Sequence, residues 1–161
     1  MIHELTAAEC RGALGRAHHG KLGCARADQP YIVPFSFYFD PREDCLYSFS
    51  ALGQKIDWMR GNPKVCVEVD DIVDQFNWTT VIALGRYEEV SDSRTDTDAR
   101  RRAYELFQQR SAWWLPGVAK LASGEEHPTP VIYRIRLERV TGRRAAPPPP
   151  NTSPNPPLKG A

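Results

Sequence analysis

The stretch LYSFSALGQKIDWMRGNPKVCVEVD, residues 46–70, reads as strand, short helix, strand. Its first part alternates along the end of CLYSFS, and from Gly53 to Arg60 the apolar Ile56 and Met59 fall at helical spacing before Asn62 and Pro63 end the turn. VCVEVDD then alternates again with period two. A short helix between two strands is therefore the centre of the pattern.

Upstream, Thr6 followed three residues later by Glu9 makes a capping box, and Leu5, Cys10, Ala13, Leu14 and Ala17 give one apolar helical stripe that stops by Gly20. GKLGCARA and YIVPFSFYFD, separated by Asp28, Gln29 and Pro30, read as a hairpin whose second arm is rich in β-branched and aromatic residues. Pro34 has no N–H to give to a ladder, so it must lie at an edge, a bulge or a break in pairing. Downstream, residues 71–77 read as a loop and Trp78 to Val90 as a strand interrupted at Gly85. Residues 94–110 read as a helix with Ala99, Ala103, Leu106 and Phe107 on one face, and VIYRIRLERV alternates. The order predicts a mainly β fold with flanking helices: six antiparallel strands in a closed or partly closed barrel, without the regular alternation of βαβ units.

The 161 residues suit one domain, with 41% apolar and 10% aromatic side chains available for a core. The boundary is set at 142, with 143–161 a proline-rich, disordered tail. The formal charge of +1 hides that Arg143, Arg144 and Lys159 sit in that tail, leaving 18 basic and 20 acidic side chains in residues 1–142. Such a body has no electrostatic footprint for nucleic acid. No run of 18 apolar residues and no signal-peptide pattern occur, so a cytoplasmic protein off the membrane is expected. Cys10, Cys24, Cys45 and Cys66 lie at gaps of 14, 21 and 21 residues, a spacing that suits buried reduced thiols better than a disulfide framework or zinc site. Asp70, Asp71 and Asp74 lack the glycine and terminal glutamate of a calcium loop and read as a solvated acidic loop, and no metal is expected.

GKLGCARADQPYIVPFSFYFD, LYSFSALGQKIDWMRGNPKVCVEVD and WTTVIALGRYEEV together resemble the pyridoxamine 5′-phosphate oxidase-like split barrels, over roughly residues 5–142, and within them the small nitroimidazole-resistance-type flavoproteins. The resemblance implies a six-stranded split β-barrel that binds FMN. FMN carries a dianionic phosphate, a polar pyrimidine edge and a flat apolar ring. Ser48 and Ser50 can offer hydroxyls, while Gly53, Gln54 and Lys55 open a helix whose N–H groups and dipole favour an anion, with Lys55 adding a charge. By the resemblance, the ring lies along Val33, Pro34 and Phe35, and Thr79 and Thr80 approach the flavin of a second subunit, making the protein a homodimer with its cofactor at the interface. Each position also has a plainer reading: Ser48 and Ser50 as a solvated strand face, Lys55 as a solvated lysine, Thr79 and Thr80 as ordinary strand residues.

Trp113 and Trp114 either line a substrate pocket or split between core and barrel mouth. Where many relatives carry a histidine beside the flavin, this chain has Ser48, so no catalytic side chain stands out. The arginines that hold phosphopyridoxal in true pyridoxamine phosphate oxidases are also not apparent. The expected activity is oxidoreduction, with a nicotinamide cofactor, NADH or NADPH, reducing the flavin and a nitroaromatic or quinone accepting the electrons. The alternatives are a non-catalytic flavin or haem carrier, for which His127 is the isolated axial candidate, and a scaffold acting through its proline-rich tail.

Overall fold

Pro34 marks an edge. The computed structural model describes residues 1–91, 93–109 and 130–146. In chain order they form β1 (Ile2–Glu4), α1 (Ala7–Arg16), β2 (His19–Arg26), β3 (Gln29–Ser36), β4 (Tyr38–Asp40), β5 (Cys45–Ser50), α2 (Gln54–Gly61), β6 (Lys64–Asp74), β7 (Asn77–Glu89), α3 (Thr97–Gln108) and β8 (Val131–Ala145). The strands make one antiparallel sheet in the order β3-β2-β6-β7-β8-β5-β4, with β1 added to the far end of β8. Pro34 is thus on an outermost strand, where its missing N–H costs no ladder bond.

Eight strands appear where six are expected, for two local reasons. β1 is three residues long, too short to show a period, and is held by pairing Ile2 to Glu4 against Arg143 to Ala145. The segment YIVPFSFYFD, expected as one strand, is divided at Phe37, whose N–H donates to the His18 carbonyl at 3.0 Å. The chain passes there from one edge of the sheet (β3) to the other (β4), and the Ser48 hydroxyl donates to the Ser36 carbonyl at 2.7 Å across the gap. The ladder stays open between β3 and β4, which is the split of a split barrel.

Two apolar layers follow from this path. Inside the barrel, Leu22, Phe37, Leu46, Val67, Val81 and Ile135 pack between Cys10 and Leu14 of α1 at one end and Ile56 and Met59 of α2 at the other. Outside, Tyr38, Cys45, Tyr47 and Ile132 are covered by Ala99, Ala103 and Leu106 of α3. β5 is therefore buried on both faces along most of its length. α1 starts with the expected capping box, Thr6 and Glu9 each satisfying the other's backbone N–H. Two corrections concern boundaries. Residues 71–77 are not a loop: β6 reaches Asp74 because Asp70 and Asp71 pair with Thr80 and Thr79, leaving a tight turn at whose start the Asp74 carboxylate accepts the Phe76 N–H at 2.7 Å. Tertiary pairing there overrides the poor strand propensity of aspartate. The last strand runs past 142 to Ala145, because β1 and β7 both pair with its end. The rest of the tail lies outside the described residues, and no helix among those described is long and apolar enough to cross a membrane.

The interruption expected at Gly85 is a bulge, with Leu84 opposite Arg139 and Gly85 opposite Leu137. A Cβ at Gly85 would overlap the Arg136 carbonyl and come within 2.8 Å of Ile135 Cγ2. Gly85→Val should therefore lower unfolding free energy by about 1–3 kcal/mol, measured by urea denaturation.

A second test lies under α3. Asp40 is fully buried and receives two hydrogen bonds from Arg102, at 2.9 and 3.0 Å. Burial pushes its carboxyl up, but the bonds from Arg102 and from the Arg42 N–H outweigh that and hold it below the usual carboxylate range. A depressed carboxyl stabilises the fold above its unfolded pKa of about 3.9 and loses that contribution as pH falls through the folded value. Arg102→Met, which strands the charge, should cost about 3–5 kcal/mol at pH 7 and much less at pH 3.

Candidate functional site

The amino end of α2 is marked by what it lacks among the described residues. Gly53 caps the helix with no side-chain hydrogen bond, and its carbonyl accepts from Ile56 and Asp57 at 3.0 and 3.1 Å. The N–H groups of Gln54 and Lys55 have no partner among the described residues. A Cβ at Gly53 would meet nothing within 4 Å, so the approach to these amides is open. α2 is fixed on the β2–β3 hairpin by the Asn62 amide, which donates to the Ala25 carbonyl at 3.1 Å, and by the Trp58 ring 5.4 Å from that of Tyr31.

That docking sets Lys55 against Cys24, a β2 residue 4% exposed in the barrel interior. Lys55 is half-buried and makes no ion pair or hydrogen bond among the described residues. Burial holds its ammonium below the ordinary lysine range, and proximity to Cys24 opposes that only in part. A partly desolvated cation with no counter-charge is costly unless something supplies one. Deeper in the same end of the barrel stands Tyr133 of β8, fully buried, with a hydroxyl that has no hydrogen-bond partner among the described residues. Burial pushes that phenol up to about 12. The sequence reading missed Cys24 and Tyr133 as neighbours of the site, since only the barrel path brings β2, β8 and α2 together.

Other expected site residues fall differently. Ser48 is 3% exposed and commits its hydroxyl to the Ser36 carbonyl, so it closes the split instead of facing a ligand. The Ser50 hydroxyl donates to the Ala51 carbonyl at 2.9 Å on the way into α2. Gln54 is exposed at the helix start. Along β3, Phe35 is core and stacks on Phe37 at 5.2 Å, Val33 is half-buried and Pro34 is exposed. Thr79 and Thr80 point to opposite faces of β7: Thr79 accepts a bond from Arg144 at 3.2 Å near α1, and Thr80 faces outward beside Trp78, Ile82 and Arg143. Both lie at the far end of the sheet from Lys55, opposite Asp71 and Asp70 on β6. That end is five or six residues along from the level of Cys24, about 16–20 Å. Trp113, Trp114 and His127 lie outside the described residues. The structure adds a pair the sequence did not suggest, His19 Nδ1 2.8 Å from the Ser36 hydroxyl.

Residues 6–144 match the family model of pyridoxamine 5′-phosphate oxidase. The chain belongs to that family. A protein of Rhizobium meliloti is 32% identical over 150 residues, covering 90% of this chain and 96% of the relative. Among solved structures, a FAD-binding protein of Mesorhizobium loti is 34% identical with a TM-score of 0.74, covering 91% of this chain and 98% of the other. A 5-nitroimidazole antibiotic resistance protein homologue from Bacteroides thetaiotaomicron shares the fold at 14% identity and TM-score 0.62, with 89% of each chain covered. Family membership accounts for the split barrel. It leaves open what occupies the α2 end, and there this chain's own residues must speak.

They speak through Lys55. Its lowered pKa means that the unfolded chain binds more protons than the folded one at alkaline pH, so stability should rise with pH towards the unfolded lysine value of about 10.4. Lys55→Met removes the desolvated charge. The variant should be at least as stable as the parent at pH 7, and the gap should narrow at pH 9.5, measured by urea unfolding.

Proposed function

We propose that the amino end of α2 holds the phosphate of FMN, and that the protein is a flavoprotein oxidoreductase taking electrons from NADH or NADPH and passing them to a small electron-poor acceptor of nitroaromatic or quinone type. The observation that carries this reading is half-buried Lys55, without an ion pair among the described residues, beside the Gln54 and Lys55 amides that have no partner among them, a site deficient in one compact negative charge. The fit to a terminal phosphate is supported by the open space over Gly53. The family and the FAD-binding protein of Mesorhizobium loti support a flavin as the group that bears that phosphate. FMN, which ends in a single phosphate, matches one lysine and one helix terminus.

Magnitudes require more than this grip. Each charge-assisted bond contributes about 1.5–3 kcal/mol, and micromolar binding needs about 8 kcal/mol. Apolar burial of the ring must supply much of the remainder, and we assign that role to half-buried Val33 and exposed Pro34 on edge strand β3. A bound flavin supplies reversible two-electron transfer from its own ring. The protein's residues then bind, orient and exclude water. Ser48 is hydrogen-bonded into the fold and the raised phenol of Tyr133 keeps its proton at neutral pH, so neither serves as a base. Four free cysteines suit a reducing compartment, and we place the protein in the cytoplasm. We also read the working unit as a homodimer with the flavin at the subunit interface, Thr79 and Thr80 of one copy approaching the flavin of the other.

Purified protein mixed with FMN or FAD and desalted should retain FMN at about one equivalent per chain. Lys55→Met should weaken FMN affinity about 10–150-fold, and Lys55→Arg should restore most of it. The pH dependence gives a second readout: affinity should fall as pH rises through the lowered pKa of Lys55, and Lys55→Met should abolish that slope. Anaerobic bleaching of the bound flavin by NADH or NADPH, with reoxidation by a quinone, would establish turnover. Retained flavin that no nicotinamide reduces would leave a carrier, and a protein that retains no flavin would overturn the reading.

A further inference from the structure

We infer that Lys55 is an acylation site, at which an acyl phosphate transfers its acyl group to the Lys55 Nζ and the resulting amide shuts the α2 end to FMN. This rests on the reading of that end as the FMN phosphate site, and it names how the site is regulated.

Lys21 and Lys55 stand in opposite states. The Lys21 ammonium is held between two carboxylates, those of Asp70 and Glu68, the latter at 3.1 Å. Hydrogen bonds to Asp70 and to Glu68 hold its pKa above the ordinary lysine range, so its nitrogen lone pair stays bound to a proton. Lys55 is half-buried and has no ion pair or hydrogen bond among the described residues. Only the neutral amine attacks a carbonyl carbon, and at pH 7 an ordinary lysine is neutral in about one molecule in 2,500. Burial disfavours the Lys55 ammonium, and proximity to Cys24 opposes that only in part, so Lys55 supplies more of the nucleophilic form than an exposed lysine such as Lys64.

The amine is also reachable. A Cβ at Gly53 would meet nothing within 4 Å, which leaves a small reagent free to approach over the first turn of α2. An acyl phosphate carries a compact anion of the kind that the reading above seats on the Gln54 and Lys55 amides. Its acyl carbon is one bridging oxygen from that phosphate, on the scale of a single side chain.

The step balances without oxidation or reduction. The Lys55 nitrogen lone pair forms a C–N bond to the acyl carbon, and the C–O bond to phosphate breaks with its electron pair leaving on the phosphate oxygen. The proton released by nitrogen goes to the departing phosphate. The product is a neutral amide, which has no charge to set against a phosphate. The burial that disfavours the ammonium is thus relieved in either of two ways, by a bound phosphate or by loss of the charge, and the two exclude each other.

The full chain is incubated with acetyl phosphate at neutral pH, with and without FMN, and acetylation of its five lysines is followed by peptide mass spectrometry. Lys55 should be acetylated ahead of Lys64, with Lys21 behind both, and FMN should slow the reaction at Lys55 alone. The acetylated parent should bind FMN about 10–150-fold more weakly. Lys55→Arg, which keeps the charge and takes no acetyl group, should hold its FMN affinity through the same treatment. Acetylation of Lys55 no faster than that of Lys64 would overturn the inference. So would unchanged FMN affinity in a parent acetylated at Lys55, or an equal loss of affinity in treated Lys55→Arg. A parent that retains no FMN before treatment overturns the flavin reading and the control of it, while the order of acetylation among the lysines, read by mass alone, still decides whether Lys55 is the reactive site.

Discussion

The passage of the chain across the barrel at Phe37 is the constraint from which the rest follows. One peptide N–H, donated by Phe37 to the His18 carbonyl, and one hydroxyl, donated by Ser48 to the Ser36 carbonyl, hold β3 and β4 at opposite edges of a sheet that does not close its own ladder. Because β3 is an edge, it tolerates Pro34 and packs through its hairpin partner β2 against α2. Because β4 is the other edge, β5 acquires a second apolar layer and α3 has something to cover. The position of Lys55 beside Cys24 is a consequence several steps removed: α2 can reach β2 only because the barrel curls β5 and β6 around the same end.

Period and local chemistry were enough to read most of this from the residues. The capping box at Thr6 and Glu9, the short helix with Ile56 and Met59 inward, the α3 face of Ala99, Ala103 and Leu106, and the bulge at Gly85 are all local patterns, and each is present. What local pattern could not show is pairing. Three-residue β1 has no period of its own, and Asp70 to Asp74 looks like a loop until Thr79 and Thr80 are placed opposite. Thr79 and Thr80 also show why a strand position should not be read as two equivalent donors: adjacent residues on β7 serve different faces, one occupied by Arg144 and the other turned outward. Ser48 was legible as a hydroxyl on a strand but not as the bond that spans the split.

Lys55 and Tyr133 show the same tension in two chemical forms. An interior that maximised stability would pair or remove both groups, since an unpaired buried donor or charge is a net cost. The barrel keeps a desolvated ammonium at its rim and, beneath it, a buried phenol beside the Ser48 hydroxyl, and the deeper group stays neutral through burial while the rim group stays reachable from α2. Stability sacrificed at one mouth of a barrel that is otherwise well packed is the pattern of a binding site held ready for a ligand of opposite charge.

Membership of the family does not carry its substrate with it. A site for phosphopyridoxal would need arginines free to grip a second phosphate near the flavin. On β8, Arg134 and Arg136 are both engaged by Glu88, and Arg134 also by Glu43, so those guanidiniums stitch β8 to β7 and to the turn before β5. Arg139 and Arg143, which lack ion pairs among the described residues, face out at the other end of the sheet from Lys55. The cationic residues of β8 are thus divided between holding the fold and lining an outer face, and the α2 end is left with one lysine. A single lysine beside two amides offers one compact anion site, and the described arginines of β8 add no second one beside it.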